Sequence, residues 1–310
     1  MRRESLLSTP KTHMLAGNFG RSTTVFVTTV VNMQRSNLAT LPLSGLLMLL
    51  FALPGVTQQV AWHSDLATAM ADAKQNGCPI LAFFHSVGCG PCAQMEQETL
   101  ADPQITALIA GRFEAVSING ITQADLAMRY LISYYPTVKF IDASGVSVYD
   151  CYGYIPPVDF LAVMNEGLAA HQALIRARSA AAQPEVSAEG ALSIARDYLQ
   201  ASQFTEAAHW ARRELDAAPN AETQYLLGVA LVEAGEPAQA EEPLLAALTA
   251  TEDAPWLTHA RLKLGYAWLQ MGKDAAGIDL LKAVHAAADA TPKIKAEAAR
   301  LLRWWGVDAG

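Results

Sequence analysis

Hydrophobic and polar positions along the chain change period several times, and each change marks an element. From Asp65 to Asn76, Leu66, Ala69, Met70 and Ala73 recur at helical spacing, and Gly77 then breaks the pattern. Ile80-Leu81-Ala82-Phe83-Phe84 follows as an unbroken apolar run of strand length, which predicts a central strand covered on both faces. The run passes through His85-Ser86-Val87-Gly88 into Cys89-Gly90-Pro91-Cys92, and then into the helix-compatible stretch Ala93 to Glu98. The predicted order is buried strand, short loop, C-x-x-C, helix.

Beyond Leu168 the chain turns alanine-rich, and Ser179 to Ser187 with Pro184 reads as a linker or helix break. Self-similarity then appears: Ile194-Ala195-x-x-Tyr198, Leu227-Gly228-x-x-Leu231 and Leu264-Gly265-x-x-Trp268 recur at spacings of 33 and 37 residues. A small residue follows each motif (Ala207, Ala240, Gly277), with Ala211, Leu244 or Leu281 four positions on. Small residues at such places let paired helices approach closely. Near the other end, Leu46 to Leu53 is an apolar octet preceded by Arg35, with no charge from Leu38 to Gln59. That fits the core of a secretory signal and is short for a membrane span, which needs about 20 apolar residues. We read a cleaved export signal, with Met33 as the start of translation; an uncleaved anchor is the alternative.

Composition narrows the function classes. With 52% hydrophobic and 17% charged residues, the 310-residue chain can bury sizeable cores, which excludes wholesale disorder. A net charge of −8, with only 22 Lys+Arg, argues against a nucleic-acid partner. Four cysteines are too few for a disulfide scaffold, so the spacing of two of them carries the chemistry. A cysteine at a helix N-terminus faces unpaired backbone N–H groups and the positive end of the helix dipole. Both favour the thiolate, the attacking species. Two intervening residues let the second sulfur close a small ring, and Pro91 sits where a missing N–H costs little. A zinc site would need a second ligand pair, and Cys78 and Cys151 stand apart, so no metal is expected.

Cys89-Gly90-Pro91-Cys92 resembles the active site of thioredoxin, and the resemblance continues downstream. Phe113 to Asn119 corresponds to the next strand. Tyr134-Tyr135-Pro136-Thr137-Val138 resembles the segment whose proline is cis beside the active-site sulfurs. Lys139 to Asp142 and Val146 to Cys151, around Ala143-Ser144-Gly145, correspond to the closing hairpin, and Pro157 to Leu168 to the terminal helix. The repeats resemble tetratricopeptide repeats, three helix pairs with Lys293 to Trp305 as a capping helix. The resemblances imply an α/β thioredoxin fold, a mixed sheet flanked by helices, plus an all-α helical repeat domain. Residues 1–57 would be an extension with a signal or anchor, 58–172 the thioredoxin-like domain, 173–187 a linker, and 188–310 the repeats.

The function implied is that of an exported thiol–disulfide oxidoreductase of the periplasm or cell envelope. Cys89 would be the nucleophile and Cys92 the resolving thiol; Tyr135, Pro136 and Thr137 would bind substrate. The Gly90-Pro91 dipeptide resembles reducing members, leaving oxidase or isomerase as other directions. No cofactor is implied, because electrons would come from an upstream thiol protein. The repeats would recruit a client or redox partner through an aromatic groove of Tyr225, Val229 and Tyr266, with Arg196 and Lys263 the cations at hand. The chain departs from the family in two buried places: thioredoxin's acid falls on Phe83 and its lysine on Ser117. His85 is then the nearest candidate proton acceptor, while Glu96 reads as a solvated helix residue. Cys78 and Cys151 are not expected to pair, because they fall at opposite ends of the sheet. Cys151 reads as buried or as an accessory thiol. The competing reading is a non-catalytic scaffold that binds partners through its repeats.

Overall fold

Asp65 begins the first helix by accepting the Thr68 N–H at 2.8 Å, and Gly77 ends it in the left-handed region, its N–H donating to the Ala73 carbonyl. These residues belong to a computed structural model that describes residues 60–249 and 254–308. The apolar segment 46–53 lies outside the described residues. Among those described, no helix is long and apolar enough to cross a membrane.

The helix so capped is α1 (Leu66–Asn76), preceded by the two-residue β1 (Trp62–His63) and followed by β2 (Ile80–His85). Then come α2 (Gly90–Gln94), which runs on as a π-helical turn over Met95–Thr99, α3 (Pro103–Arg112) and β3 (Glu114–Asn119). A short α4 (Ala124–Arg129), β4 (Thr137–Ile141) and β5 (Ser147–Tyr152) complete the sheet. Strand order is β1-β3-β2-β4-β5; β1, β3 and β2 run parallel, and β4 and β5 are antiparallel to their neighbours. The unbroken apolar run of β2 has the expected cause. Ile80, Ala82 and Phe84 pack with Leu66, Ala69 and Val116 on one face, while Leu81 and Phe83 pack with Met95, Phe140 and Phe160 on the other.

The helix expected over 157–168 is longer. As α5 it spans Pro157–Ala181, 25 residues, burying Phe160, Met164, Leu168, Leu174 and Ala177 along one side. The stretch expected as a linker over 173–187 is therefore helical to Ala181, and the core runs on through it from the sheet into the helices beyond. Those are α6 (Ala188–Gln200), α7 (Phe204–Ala217), α8 (Ala221–Glu233), α9 (Pro237–Ala247), α10 (Leu257–Gln270), α11 (Asp274–Ala286) and α12 (Pro292–Trp304).

Three pairs, α6/α7, α8/α9 and α10/α11, share one turn. The N–H groups of Gln203, Glu236 and Lys273 donate to the carbonyls of Tyr198, Leu231 and Trp268, at 2.9, 2.8 and 2.8 Å. The residue before each donor, Ser202, Gly235 or Gly272, is left-handed, as a helix C-terminal cap requires. The close-approach sites behave alike. A Cβ on Gly228 would lie 2.5 Å from Leu244, and one on Gly265 would lie 3.1 Å from Leu281. The repeat read from the sequence is thus a repeat of turn and of contact, consistent with a helical repeat domain.

Candidate active site

β2 is held between β3 and β4, and it delivers His85 and the following loop to one end of the sheet. Cys89 and Cys92 lie at that end, joined by a disulfide with Cα atoms 5.2 Å apart. Cys89 caps α2: its Sγ accepts the Cys92 N–H at 3.2 Å, and Pro91 occupies the first turn, where no N–H is needed. Cys89 is half-buried and Cys92 is 2% exposed. One sulfur therefore reaches the surface, and the other lies beneath it among Phe83 and Met95. The helix carrying them is anchored from its far side. The Thr99 hydroxyl donates to the Ile155 carbonyl at 2.7 Å, and the Tyr154 hydroxyl donates to Glu98 at 2.5 Å.

The segment before β4 meets the same end of the sheet. The Tyr135–Pro136 peptide bond is cis, Tyr135 is half-buried and Pro136 buried. A Cβ on Gly120 would fall 2.1 Å from the Tyr135 hydroxyl, so only glycine at 120 admits that ring where it lies. Thr137 is placed differently from the expectation that it binds substrate. It is fully buried and its hydroxyl donates to the Tyr134 carbonyl at 2.8 Å, so its side chain serves the turn. The His85 ring stacks on Phe83 with centroids 5.5 Å apart, and no hydrogen bond joins it to either cysteine. Val87, Ile121 and Tyr134 are exposed apolar side chains on loops leaving this end of the sheet.

Phe83 and Ser117, which stand where thioredoxin carries its acid and lysine, share a cleft of ≈ 210 Å³ with Trp62, Glu96 and Leu100. Glu96 is exposed, as a solvated helix residue would be, yet it lines this cleft one turn beyond Cys92. Its spacing four residues after Cys92 was the signal available in the sequence.

Cys78 and Cys151 are free, half-buried thiols. Burial pushes the Cys151 thiol up to about 12, with Asp150 adding to the rise and a backbone hydrogen bond from Val138 opposing it, so burial disfavours its thiolate at neutral pH. Among the described residues, one group could offer a metal three ligands: His63, Asp72 and Glu114. Their groups already face one another. His63 Nε2 lies 2.7 Å from Glu114, Nδ1 lies 3.9 Å from Asp72, and Asn76 donates to the other Glu114 oxygen at 2.7 Å. The cluster ties the short β1 to α1 and β3.

On the helical domain, the cations expected to face a partner are paired. Arg196 meets Glu222, and Lys263, 7% exposed, meets Glu233 at 3.0 Å and Glu297 at 2.9 Å. Val229 is buried, and Tyr225 stacks on Trp256 at 4.9 Å between ring centroids. Beside Lys263 lies a cleft of ≈ 330 Å³ lined by Tyr266, Trp304 and Trp305, of which Trp304 is largely exposed.

Residues 66–168 match a family model described as a thioredoxin-like domain. No curated protein matches the chain. Among solved structures, it is similar to a DsbH oxidoreductase at 18% identity, covering 44% of this chain and 94% of that one, with a TM-score of 0.33. A thioredoxin from Thermus thermophilus shows 28% identity over 35% of this chain and 86% of its own, with a TM-score of 0.32. The oxidised C-terminal domain of DsbD from Neisseria meningitidis shows 19% identity over 34% of this chain and 99% of its own, with a TM-score of 0.30. This chain carries a thioredoxin-like domain over residues 66–168, followed by a helical domain consistent with repeats.

Proposed function

We propose that the chain is an exported thiol–disulfide oxidoreductase that reduces disulfides of client proteins through Cys89 and Cys92. The observation that carries this reading is the pair itself: a disulfide at the start of a helix, one sulfur at the surface and the other beneath it. In the reduced enzyme the Cys89 sulfur occupies a position where it accepts a backbone N–H, which favours its thiolate. That thiolate attacks one sulfur of a client disulfide; the Cys89–client bond forms and the client's other sulfur leaves as a thiolate. Cys92 then loses its proton and attacks Cys89 Sγ. The client's second sulfur leaves, and the Cys89–Cys92 bond forms again. The cysteine pair gives the client two electrons and releases the one proton of Cys92, and the two client thiolates take up protons from water. A dithiol protein upstream restores the reduced pair.

Cys92 sits among apolar side chains, which oppose its ionisation, so the resolving step needs a proton acceptor. His85, on the loop side of Phe83, is the residue we assign to it. The main chain at Tyr135 would hold a client segment in extended form, with Val87, Ile121 and Tyr134 around it. The helical domain would recruit the client or donor through its aromatic clefts rather than through charge, because Arg196 and Lys263 already have carboxylate partners. Export rests on the apolar segment 46–53 and places the work in the periplasm or cell envelope.

Reduction of a protein disulfide by dithiothreitol, with and without the chain, tests the reading. The chain is expected to accelerate it at sub-stoichiometric amounts. An uncatalysed rate at every concentration of the chain overturns the assignment.

A further inference from the structure

At the end of the sheet away from the disulfide, α1 stops, β4 turns into β5, and α5 passes over both. A cavity of ≈ 380 Å³ opens between them, lined by Lys74, Asp142, Ser144, His171, Ile175 and Arg178 among others. Because β4 is antiparallel to β2, Asp142 follows the strand end that pairs with Ile80, while Cys89 lies beyond His85 at the other end. The cavity is therefore separate from the redox centre.

Its polar groups are unequally satisfied. Asp142 is saturated: its two oxygens receive the N–H groups of Ser144 and Val146, the Ser144 hydroxyl, and Arg178. Burial alone would raise its pKa, but these hydrogen bonds and the guanidinium outweigh burial and hold the carboxyl below its usual value. It is an anion with no acceptor capacity left for a ligand. Donors, by contrast, are in surplus. Lys74 has no hydrogen-bond or ion-pair partner among the described residues, and Arg178 uses only part of its fork on Asp142 and Ser144. His171 is 6% exposed and its ring has no hydrogen-bond partner among the described residues. Its ring nitrogens are not closed off from the cavity, so a ligand that enters can reach them. The carbonyl of Ala73 at the end of α1 is taken by the Gly77 N–H.

Two cations against one saturated carboxylate leave the cavity with a surplus positive charge. Ile175, about half exposed, adds an apolar wall. We propose that this cavity binds a small organic anion, a carboxylate with an apolar body. Its charge would lie between Lys74 and Arg178 with a hydrogen bond from the His171 ring, and its body would lie against Ile175 and Ala143. A cationic ligand would meet two cations and a carboxylate whose oxygens are already taken, and a bare anion leaves the apolar wall unused.

Titration of the full chain with sodium butyrate and, separately, with inorganic phosphate, at constant ionic strength, tests this. The readout is the ring ¹H–¹⁵N signal of His171. Butyrate is expected to move that signal to saturation, and to bind more tightly than phosphate. Lys74→Gln changes an exposed, unpartnered side chain and should leave the fold intact while weakening butyrate at least about fivefold. Failure of the signal to saturate, an unchanged midpoint in Lys74→Gln, or phosphate binding more tightly than butyrate would each overturn the proposal. None of these readouts depends on the cysteine pair, so failure here and failure of the oxidoreductase reading are separate results.

Discussion

Cys92→Ser is expected to accumulate covalent complexes with client proteins, while Cys89→Ser accumulates few. The asymmetry follows from burial. Cys89 is the sulfur within reach of a client, and its mixed disulfide is released only when Cys92 attacks from beneath. Without Cys92 the second step is lost and the first product persists. Without Cys89 the remaining thiol is 2% exposed and cannot reach a client sulfur. Either variant should lower catalysed disulfide reduction on the order of a thousandfold or more, because the two sulfurs act as a unit. Non-reducing gels of cell extracts, followed by reduction of the trapped bands, read the difference. Equal and negligible trapping by both variants would instead favour a scaffold in which the repeats bind and the disulfide does nothing.

The second large effect concerns stability, and it lies in the helical domain. His259 is packed beneath Tyr225, whose hydroxyl lies 3.0 Å from its Nδ1. Burial pushes its pKa down from 6.5 to about 4, with Lys263 and Lys293 adding to the depression and Glu297 opposing it. Between these values the unfolded chain holds a proton that the folded one does not. Stability from this residue is complete above pH 6.5, falls as pH drops through the window, and levels off below about 4. A shift of this size corresponds to roughly 2–3 kcal/mol lost by pH 4.5. His259→Gln keeps a polar partner for Tyr225 and removes the titration. Denaturant unfolding at pH 7 and pH 4.5 should show a much smaller drop for the variant than for the parent. Equal drops would show that His259 is not the titrating group. His171 is depressed in the same direction by burial, and Glu297 and Asp142 are held below their usual values, so the variant keeps a smaller loss of stability on acidification.

The sequence made the redox segment readable because its signals were local. An apolar run bounded by C-x-x-C and a helix-compatible stretch needs no knowledge of distant residues, and β2 and α2 lie where that pattern predicts. The repeats were readable for a related reason. Gly228 and Gly265 mark close approaches that recur with the helix pairs, so periodicity stands in for contact. What escaped depends on tertiary placement. Alanine-rich sequence after Leu168 resembles a change of domain, but α5 crosses it unbroken, because the alanines bury against the sheet first and against α6 later. Thr137 shares a motif with Pro136 yet faces inward, since its hydroxyl closes the turn at Tyr134. Glu96 and Ser117 meet in one cleft only because the π-helical turn after the disulfide and β3, far apart in sequence, both border it. Charge pairing was equally hidden: Lys263 looked available to a partner, and its two glutamates come from α8 and α12, 30 residues before it and 34 after.

The central claim is that Cys89 and Cys92 form a working dithiol–disulfide couple, and equilibration against glutathione measures it most directly. The account predicts reversible interconversion of the pair as a single two-electron couple, at a potential near about −270 mV, in the range of reducing thioredoxins. A value of about −120 to −180 mV would keep the couple and contradict its direction, turning the enzyme toward oxidation or isomerisation. A disulfide that never exchanges with glutathione would contradict the claim itself.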